Sequence, residues 1–256
     1  MKQSLTGALT AEFIGTALLV LLGDGVVATA VLYGSYQGQW QPSVLWGLTV
    51  MGIVYIIGAV SGAHINPAVT LAQAIFRKFG WMKAIYYMIA QVLGAFAGAA
   101  LLYVIIAPVL ATKGLNADTA RIFSCFPGAG FPHINAFLLE IVLTMFLVLV
   151  ILGISDSRNA GAPGFGLGTI VVGATVALLV GIGGPWTMAS LNPARDFGPR
   201  MFMLVAGWGE SAMGAGYWWV PVLGPLVGGG IVAGLIYDFL IHPFIPVSAD
   251  AEKKAA

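Results

Sequence analysis

The sequence predicts an all-α membrane protein with six tilted transmembrane helices, two re-entrant half-helices and an inverted 3+3 internal repeat. The first observation behind this prediction is composition, since 59% of the 256 residues are hydrophobic and only 8% are charged. A soluble domain carries about 25% charged residues, so lipid is the expected solvent. The second observation is a set of six long apolar segments. The third is an Asn-Pro-Ala tripeptide that occurs once in each half.

Each of the six apolar segments is about long enough to cross a hydrocarbon core of about 30 Å as a helix. The segments fall near residues 8–31, 42–60, 81–107, 134–154, 166–184 and 217–241. The first resembles a signal peptide, but its apolar run exceeds the usual ~7–15 residues, contains Glu12 and is followed by further spans. We therefore interpret it as the first transmembrane helix.

Six spans place both chain termini on the same side of the membrane, and basic residues favour the cytoplasmic side. One face collects Lys2, Arg77, Lys78, Lys83, Arg158, Lys253 and Lys254, and the other collects Lys113, Arg121 and Arg200. We therefore expect both termini in the cytoplasm. Short loops and the absence of an N-x-[ST] acceptor favour a bacterial inner membrane as the cell membrane concerned, and the tail, 246–256, is expected to be disordered.

The two halves of the chain carry the same pattern. Glu12 and Glu140 each stand near the start of an apolar helix, and an Asn-Pro-Ala motif follows in each half, at Asn66 and Asn192. Because each half has three spans, the second half is inverted relative to the first. Such repeats place their functional site near the membrane midplane, where broken helices meet. We expect one domain, 1–256, with repeat one at about 5–107 and repeat two at about 133–242.

Two shorter apolar segments, 66–76 and 192–203, are too short to cross the membrane. Asparagine suits the N-cap of a helix and proline suits its first turn, so each motif predicts a helix start. Irregular backbone at membrane depth is tolerated where protein buries it or where it lines a water-filled cavity. We therefore expect two half-helices that aim positive dipole ends and asparagine amides at an aqueous path and repel cations.

Two groups of residues are expected to build this path. The motif residues are Asn66, Pro67, Ala68, Asn192, Pro193 and Ala194. The loops that precede them supply Gly62, Ala63, His64, Met188 and Ser190.

The segments SGAHINPAVT and NPARDFGPR make the chain similar to the aquaporin (major intrinsic protein) family over nearly its whole length. Within that family it most resembles the aquaglyceroporins of the bacterial glycerol-facilitator type. The resemblance implies a bundle of six tilted helices with two half-helices, usually a homotetramer with one pore per subunit. We expect no cofactor.

The resemblance also implies a selectivity filter. Arg195 would line its narrowest part and donate hydrogen bonds to solute hydroxyls, with Trp46 as an aromatic wall. The alternatives are a salt bridge between Arg195 and Asp196 and a lipid-interface position for Trp46. The filter position on the fifth helix falls at Val180 or Gly181.

One filter position departs from the glycerol-facilitator pattern. Ala189 stands where these proteins usually have an aromatic residue, and the sequence leaves open whether Trp186 compensates. We therefore predict a filter that is wider or less apolar than usual. It would admit dihydroxyacetone, urea and undissociated lactic acid as well as glycerol.

Further polar residues fall within or beside the apolar segments. The resemblance implies that Glu12 and Glu140 hold the two loops by hydrogen bonds, with a proton relay as the alternative. It implies that Gln91 supports the first loop and that Asp196 forms a structural salt bridge typical of glycerol-conducting members. His64 matches a pore-lining histidine, or it ties the loop down. Asp24 would flank an outer vestibule, with no further assignment.

The function expected from these features is a passive channel for glycerol and other small uncharged solutes, with water, that excludes ions and protons. The alternatives are a water-selective aquaporin, disfavoured by Asp196 and the segment LVAGWGESAMGAGYWW, and an ion-coupled secondary transporter. An enzyme is not expected, because the chain has no nucleophile–base pairing, metal-ligand spacing or phosphate loop. A net charge of +1 argues against nucleic acid, and the single cysteine, Cys125, fits no metal site.

Overall fold

The computed structural model describes residues 4–164 and 166–246, which form helices and connecting turns without any β-strand. The helices in chain order are α1 (Leu5–Tyr33), α2 (Trp40–Ser61), α3 (Pro67–Phe76), α4 (Trp81–Lys113), α5 (Ala117–Ala120), α6 (His133–Ser155), α7 (Leu167–Thr187), α8 (Pro193–Ala206), α9 (Val220–Val227) and α10 (Ala233–Ile236). Within these residues, six helical segments are long and apolar enough to cross a membrane. The prediction of six spans and two half-helices, α3 and α8, is confirmed.

The sixth span is not a uniform α-helix. It runs through α9, a π turn (Gly228–Val232), α10 and a second π turn (Tyr237–Ile241). A π turn widens the helix locally and is often found where a helix meets a functional element. Here the glycines of the first π turn lie so close to α6 and to Leu71 of α3 that a Cβ atom would overlap them. The turn thus brings the last span against both helices.

Helix contacts in the two halves follow the internal repeat. A Cβ atom on Gly94 of α4 would overlap the carbonyl oxygen of Phe13 in α1, and one on Gly228 would overlap that of Ile141 in α6. Phe13 and Ile141 each follow the repeated glutamate of their half. The same close approach therefore occurs at matching positions, as expected where small residues let membrane helices touch.

Substitution of Gly98 tests the close packing of α1 against α4. A Cβ atom there would overlap the carbonyl oxygen of Ala17, so Gly98→Ala is expected to destabilise the protein by about 1–3 kcal/mol. The control is Gly52→Ala in α2, where nothing lies within 4 Å of the added atom. That change is expected to be neutral or to stabilise by up to about 1 kcal/mol. Thermal unfolding in detergent measures both, and equal melting temperatures would contradict the packing argument.

The distribution of polarity is the reverse of that in a soluble protein. Large apolar side chains cover the outside, including Ile56, Val104 and Phe239, whereas several polar side chains are fully buried. Among the described residues, the fully buried carboxylate and guanidinium side chains are Glu12, Asp24, Glu140, Asp196 and Arg200. This is the arrangement expected when lipid surrounds a bundle whose interior contains the polar site.

The structure gives the surroundings of two charged residues that were used to predict topology, Arg77 and Arg200. Arg77 pairs with Asp238 at 2.8 Å, which joins the end of α3 to the end of the last span. Arg200, which was counted on the outer side of the membrane, is fully buried within α8 and does not project into solvent. Lys2, Lys253, Lys254 and residues 247–256 of the predicted tail lie outside the described residues.

Candidate pore

The two repeated motifs begin α3 and α8 through the same local chemistry. The side-chain oxygen of Asn66 accepts the backbone N–H of Ala68 at 2.9 Å. That of Asn192 accepts the N–H groups of Ala194 and Arg195 at 3.0 and 3.2 Å. Proline follows each asparagine, where its missing N–H leaves no donor unpaired. Local sequence alone therefore determines where both half-helices start.

The same asparagines join the two half-helices to each other. Asn66 Nδ2 donates to the carbonyl oxygen of Leu191 at 2.8 Å, and Asn192 Nδ2 donates to that of Ile65 at 2.7 Å. Each acceptor is the residue immediately before the opposite motif. Because a carboxamide NH₂ has two hydrogens, each asparagine keeps one donor for the cavity that both residues line.

The loops before the two motifs have matching unusual backbone. Ala63 and Ile65 in the first loop, and Ala189 and Leu191 in the second, have φ between 42° and 56°. Residues other than glycine in such conformations cost on the order of 1–3 kcal/mol each and persist only where surrounding contacts hold them. The buried glutamates provide those contacts.

Glu12 on α1 holds the first loop. Its carboxylate accepts the backbone N–H groups of His64 at 3.0 Å and Ile65 at 2.7 Å. Gln91 on α4 donates to the same carboxylate at 2.7 Å and to the hydroxyl of Thr70 at 3.0 Å. Gln91 thereby connects the glutamate to α3.

Glu140 on α6 occupies the matching position in the second half. Its two carboxylate oxygens accept the N–H groups of Ser190 at 2.9 Å and Leu191 at 3.1 Å. Each glutamate thus binds two successive N–H groups that the irregular backbone leaves without helical partners. A carboxylate is suited to this because it accepts several hydrogen bonds at once.

His64 contacts both the cavity and its supporting residues. Its Nδ1 lies 3.1 Å from the hydroxyl of Thr70, and its ring packs on Phe79 and Tyr87 at centroid distances of 4.9 and 5.2 Å. The ring also lines the cavity. Both interpretations of this residue, as pore lining and as a tie for the loop, therefore describe its position.

A narrow cavity of about 70 Å³ lies where the two loops meet. Since one water molecule needs on the order of 10–15 Å³ of such space, the cavity accommodates a short file of small molecules. Its lining residues are Leu19, Trp46, Val50, Val54, Ala63, His64, Ile65, Asn66, Val69, Leu147, Ile151, Val172, Val176, Val180, Ala189, Ser190, Leu191, Asn192 and Arg195. Most of this wall is aliphatic, and its polar groups are few.

Most of the predicted loop residues line this cavity, but some motif residues do not. Gly62 and Met188 are absent from the lining and end α2 and α7 as C-caps. The prolines and alanines of the motifs are buried in the first turns of α3 and α8: Pro67, Ala68, Pro193 and Ala194. These prolines and alanines form the first turns of the half-helices and do not line the cavity.

Arg195 and Trp46 face each other at one end of the cavity. The guanidinium carbon lies 4.9 Å from the centroid of the indole ring, a cation–π distance. Trp46 is only 7% exposed and lines the cavity, so the alternative of a lipid-interface position is wrong. On α7, Val180 lines the cavity. Gly181 does not, and a Cβ atom there would lie 3.6 Å from Ser43 Oγ.

The ion pair of Arg195 differs from the predicted alternative. Its Nη2 lies 2.9 Å from Asp24 Oδ1, and its Nη1 donates to the carbonyl oxygen of Phe123 at 3.4 Å. The alternative salt bridge to Asp196 is wrong, because Asp196 pairs with Arg200 instead. The expectation that Asp24 flanks an outer vestibule is wrong, because its side chain is fully buried against Arg195. A carboxylate within an apolar helix nevertheless indicates a functional position.

Asp196 and Arg200 form a buried ion pair one helical turn apart on α8. Asp196 Oδ1 lies 2.5 Å from Arg200 Nε, and Asp196 Oδ2 accepts the backbone N–H of Cys125 at 2.7 Å. Arg200 also donates to the carbonyl oxygens of Ala212 and Cys125. The pair therefore holds the two connecting segments that pack on α8. The i, i+4 spacing of opposite charges was the sequence signal for it.

Trp186 does not compensate for Ala189. Its side chain is 52% exposed and packs on Phe131, with ring centroids 5.2 Å apart. Ala189 itself lines the cavity. Among the described residues that line it, the aromatic rings are those of Trp46 and His64.

Six membrane-crossing segments with a narrow polar-ended cavity between two inverted half-helices define a membrane channel protein. The Major intrinsic protein family model matches residues 1–237. The chain therefore belongs to the major intrinsic protein family.

Individual relatives agree with this assignment. The chain is 41% identical over 257 residues to Aquaporin-9 of Homo sapiens, covering 95% of this chain and 86% of that protein. It is 40% identical over 261 residues to the Glycerol uptake facilitator protein of Escherichia coli (strain K12), covering 95% and 91%. The X-ray structure of the aquaglyceroporin from Plasmodium falciparum superposes with a TM-score of 0.85 at 31% identity, covering 94% and 99%.

Proposed function

We propose that this protein is a passive channel, and not an enzyme, that conducts glycerol and other small uncharged solutes together with water. The observation that carries the proposal is the amphipathic pair in the cavity wall, where the Arg195 guanidinium stands 4.9 Å from the Trp46 ring. A polyol presents hydroxyl groups on one side and C–H groups on the other. Such a solute fits between a cationic donor and an aromatic face.

A solute that passes through the cavity would contact the filter residues and the two asparagines in turn. Arg195 donates to solute oxygens while C–H groups slide along Trp46 and the aliphatic wall. At the centre, the free N–H groups of Asn66 and Asn192 donate to the next oxygen. An ion would lose its hydration shell in a largely apolar cavity, and the positive ends of α3 and α8 add a barrier against cations and protons.

We also propose that the filter is wider than that of a glycerol facilitator with two aromatic walls. Ala189 and Val180 line the cavity where large rings would narrow it, and Trp186 lies elsewhere. Dihydroxyacetone, urea and undissociated lactic acid are then conducted as well. Stopped-flow swelling of proteoliposomes with this solute series is the test, and a sharp size cutoff at glycerol would contradict the wide filter.

Ala189→Phe is expected to narrow the filter. The added ring would enter the cavity, so flux of dihydroxyacetone and lactic acid should fall by at least about tenfold, with a smaller loss for water. The matched control is Trp186→Phe, which changes an aromatic side chain outside the cavity and should leave all fluxes unchanged. Equal losses of water and bulky-solute flux in Ala189→Phe would indicate misfolding of the loop and not a narrower filter.

Flux measurements on the same proteoliposomes distinguish the proposed channel from two alternative functions. A water-selective channel would show osmotic water flux without glycerol flux. An ion-coupled transporter would show saturable glycerol uptake that depends on an imposed proton or sodium gradient. Glu12 and Glu140 are the deep carboxylates beside the loops, and both already accept two backbone N–H groups. That full occupation favours a structural role for them.

We further propose a homotetramer in the bacterial inner membrane, with both termini cytoplasmic and one single-domain pore per subunit. The repeats at 5–107 and 133–242 would form that domain. Support for the orientation comes from Arg77, Lys83 and Arg158 near one set of helix ends. Labelling of a cysteine introduced at Lys83 or at Lys113 with an impermeant reagent tests the orientation, with the wild-type protein and its buried Cys125 as the blank. Native mass spectrometry tests the tetramer.

A further inference from the structure

Asp24 stands behind the guanidinium of Arg195, on the side away from the cavity. Its Oδ1 lies 2.9 Å from Arg195 Nη2, and both side chains are buried. Arg195 lines the cavity, whereas Asp24 on α1 does not. The carboxylate thus contacts the filter arginine without contacting the path of the solute.

The residue before Asp24 supports the other wall of the filter. Gly23 lies directly beneath Trp46, since a Cβ atom there would overlap the indole ring. Two successive residues of α1 therefore set the positions of both facing groups, the indole through close packing and the guanidinium through charge.

Asp24 and Arg195 form an ion pair without hydrogen-bond geometry. Neither carboxylate oxygen of Asp24 has a partner with hydrogen-bond geometry among the residues that the structure describes. Two other carboxylates act on Arg195. Asp196 is bound by Arg200 and by the N–H of Cys125, and Glu140 accepts the N–H groups of Ser190 and Leu191. Asp24 is therefore the negative charge available to balance Arg195.

Two consequences follow for the filter. Paired with Asp24, the guanidinium is drawn toward α1, which keeps the lumen open next to Trp46. The pair is also neutral overall, so the filter offers N–H donors to a solute without a full uncompensated charge. Without the carboxylate, the 3.4 Å hydrogen bond to the carbonyl oxygen of Phe123 would be the remaining polar restraint on the guanidinium. The long side chain would then extend into the lumen, where it would obstruct a polyol more than a water molecule.

We propose that Asp24 is a positioning and specificity-determining residue of the filter, which holds Arg195 back so that solutes of polyol size pass. This inference rests on the proposed channel function. It concerns the size of neutral solute that the arginine admits.

The first experiment measures glycerol and water permeability of Asp24→Asn in proteoliposomes. Glycerol permeability is expected to fall by roughly tenfold and water permeability by less than about twofold. Asp24→Glu, which keeps the carboxylate, should retain most of the wild-type ratio. Asp118→Asn removes an exposed carboxylate from α5 and serves as the matched control, with no change expected. An unchanged ratio in Asp24→Asn would overturn the proposal.

A second experiment remains decisive even if Asp24→Asn folds poorly. In an Arg195→Val background, Asp24 is the member of the pair left unbalanced, so adding Asp24→Asn should raise the melting temperature. In the wild-type background the same change should lower it. The glycerol-to-water ratio of Arg195→Val should change by less than about twofold on adding Asp24→Asn, since there is no guanidinium to position. The same sign of melting shift in both backgrounds would overturn the pairing.

The wild-type measurement separates failure of this inference from failure of the proposed function. A wild-type protein without glycerol flux would overturn the proposed channel function itself. Normal wild-type flux combined with an unchanged permeability ratio in Asp24→Asn would overturn only the role of Asp24.

Discussion

Glu140→Ala is expected to destabilise the protein by about 3–5 kcal/mol and to abolish solute flux. The substitution leaves the N–H groups of Ser190 and Leu191 without acceptors inside the bundle. It also releases a loop in which Ala189 and Leu191 hold positive φ values. Thermal unfolding in detergent and glycerol flux in proteoliposomes provide the two measurements.

Two companion variants sharpen this prediction. Glu140→Gln keeps one acceptor but turns an NH₂ group toward the second N–H, so its loss should be intermediate. Glu210→Ala removes an exposed carboxylate from the segment before the last span and should change stability by less than about 0.5 kcal/mol. If Glu140→Ala melts at the wild-type temperature and conducts glycerol normally, the carboxylate does not hold the loop.

Arg200→Met is expected to cost about 3–5 kcal/mol, because it leaves the fully buried carboxylate of Asp196 without its cation. The carbonyl oxygens of Ala212 and Cys125 lose their donor in the same step. The melting temperature in detergent measures this loss. Protein yield should fall with it, since both connecting segments on α8 depend on this guanidinium.

The chain offers a matched control with the same substitution. Arg77→Met breaks the Arg77–Asp238 pair, whose side chains are 30% and 26% exposed. A partly solvated pair of this kind contributes about 0–1 kcal/mol, so its removal should shift the melting temperature only slightly. Equal losses in Arg77→Met and Arg200→Met would show that burial of the second pair has no special effect.

The parts of the fold and pore that sequence predicts well are those set by neighbouring residues. Asn66 and Asn192 each cap the helix that begins at the next residue, so the Asn-Pro-Ala tripeptide alone predicts where α3 and α8 start. The lengths of the spans follow from apolar composition in the same way. The positions of Trp46 and Arg195 at the cavity were expected from resemblance, and the structure brings both there.

The parts that sequence reasoning missed depend on contacts between distant segments. The resemblance implied a salt bridge for Asp196 but did not name Arg200 as its partner, because hydropathy does not distinguish a loop arginine from one buried beside a carboxylate. Asp24 was expected beside a vestibule and not beside Arg195, because Arg195 lies in the other half of the chain. The outward position of Trp186 depends on its contact with Phe131, which no local pattern indicates.

The reciprocal bonds between the two motifs also have a consequence for the timing of biosynthesis. Asn66 needs the carbonyl oxygen of a residue 125 positions later in the chain. At about 5–20 residues per second, a ribosome takes roughly 6–25 s to reach that residue. For that interval Asn66 Nδ2 lacks the carbonyl oxygen of Leu191 as an acceptor. Glu12 on α1 is already present to accept the N–H groups of His64 and Ile65. During that time the first half has its loop held by Glu12, but the Asn66 amide has no partner in the second half. Translation of the second half supplies the residues for both reciprocal hydrogen bonds.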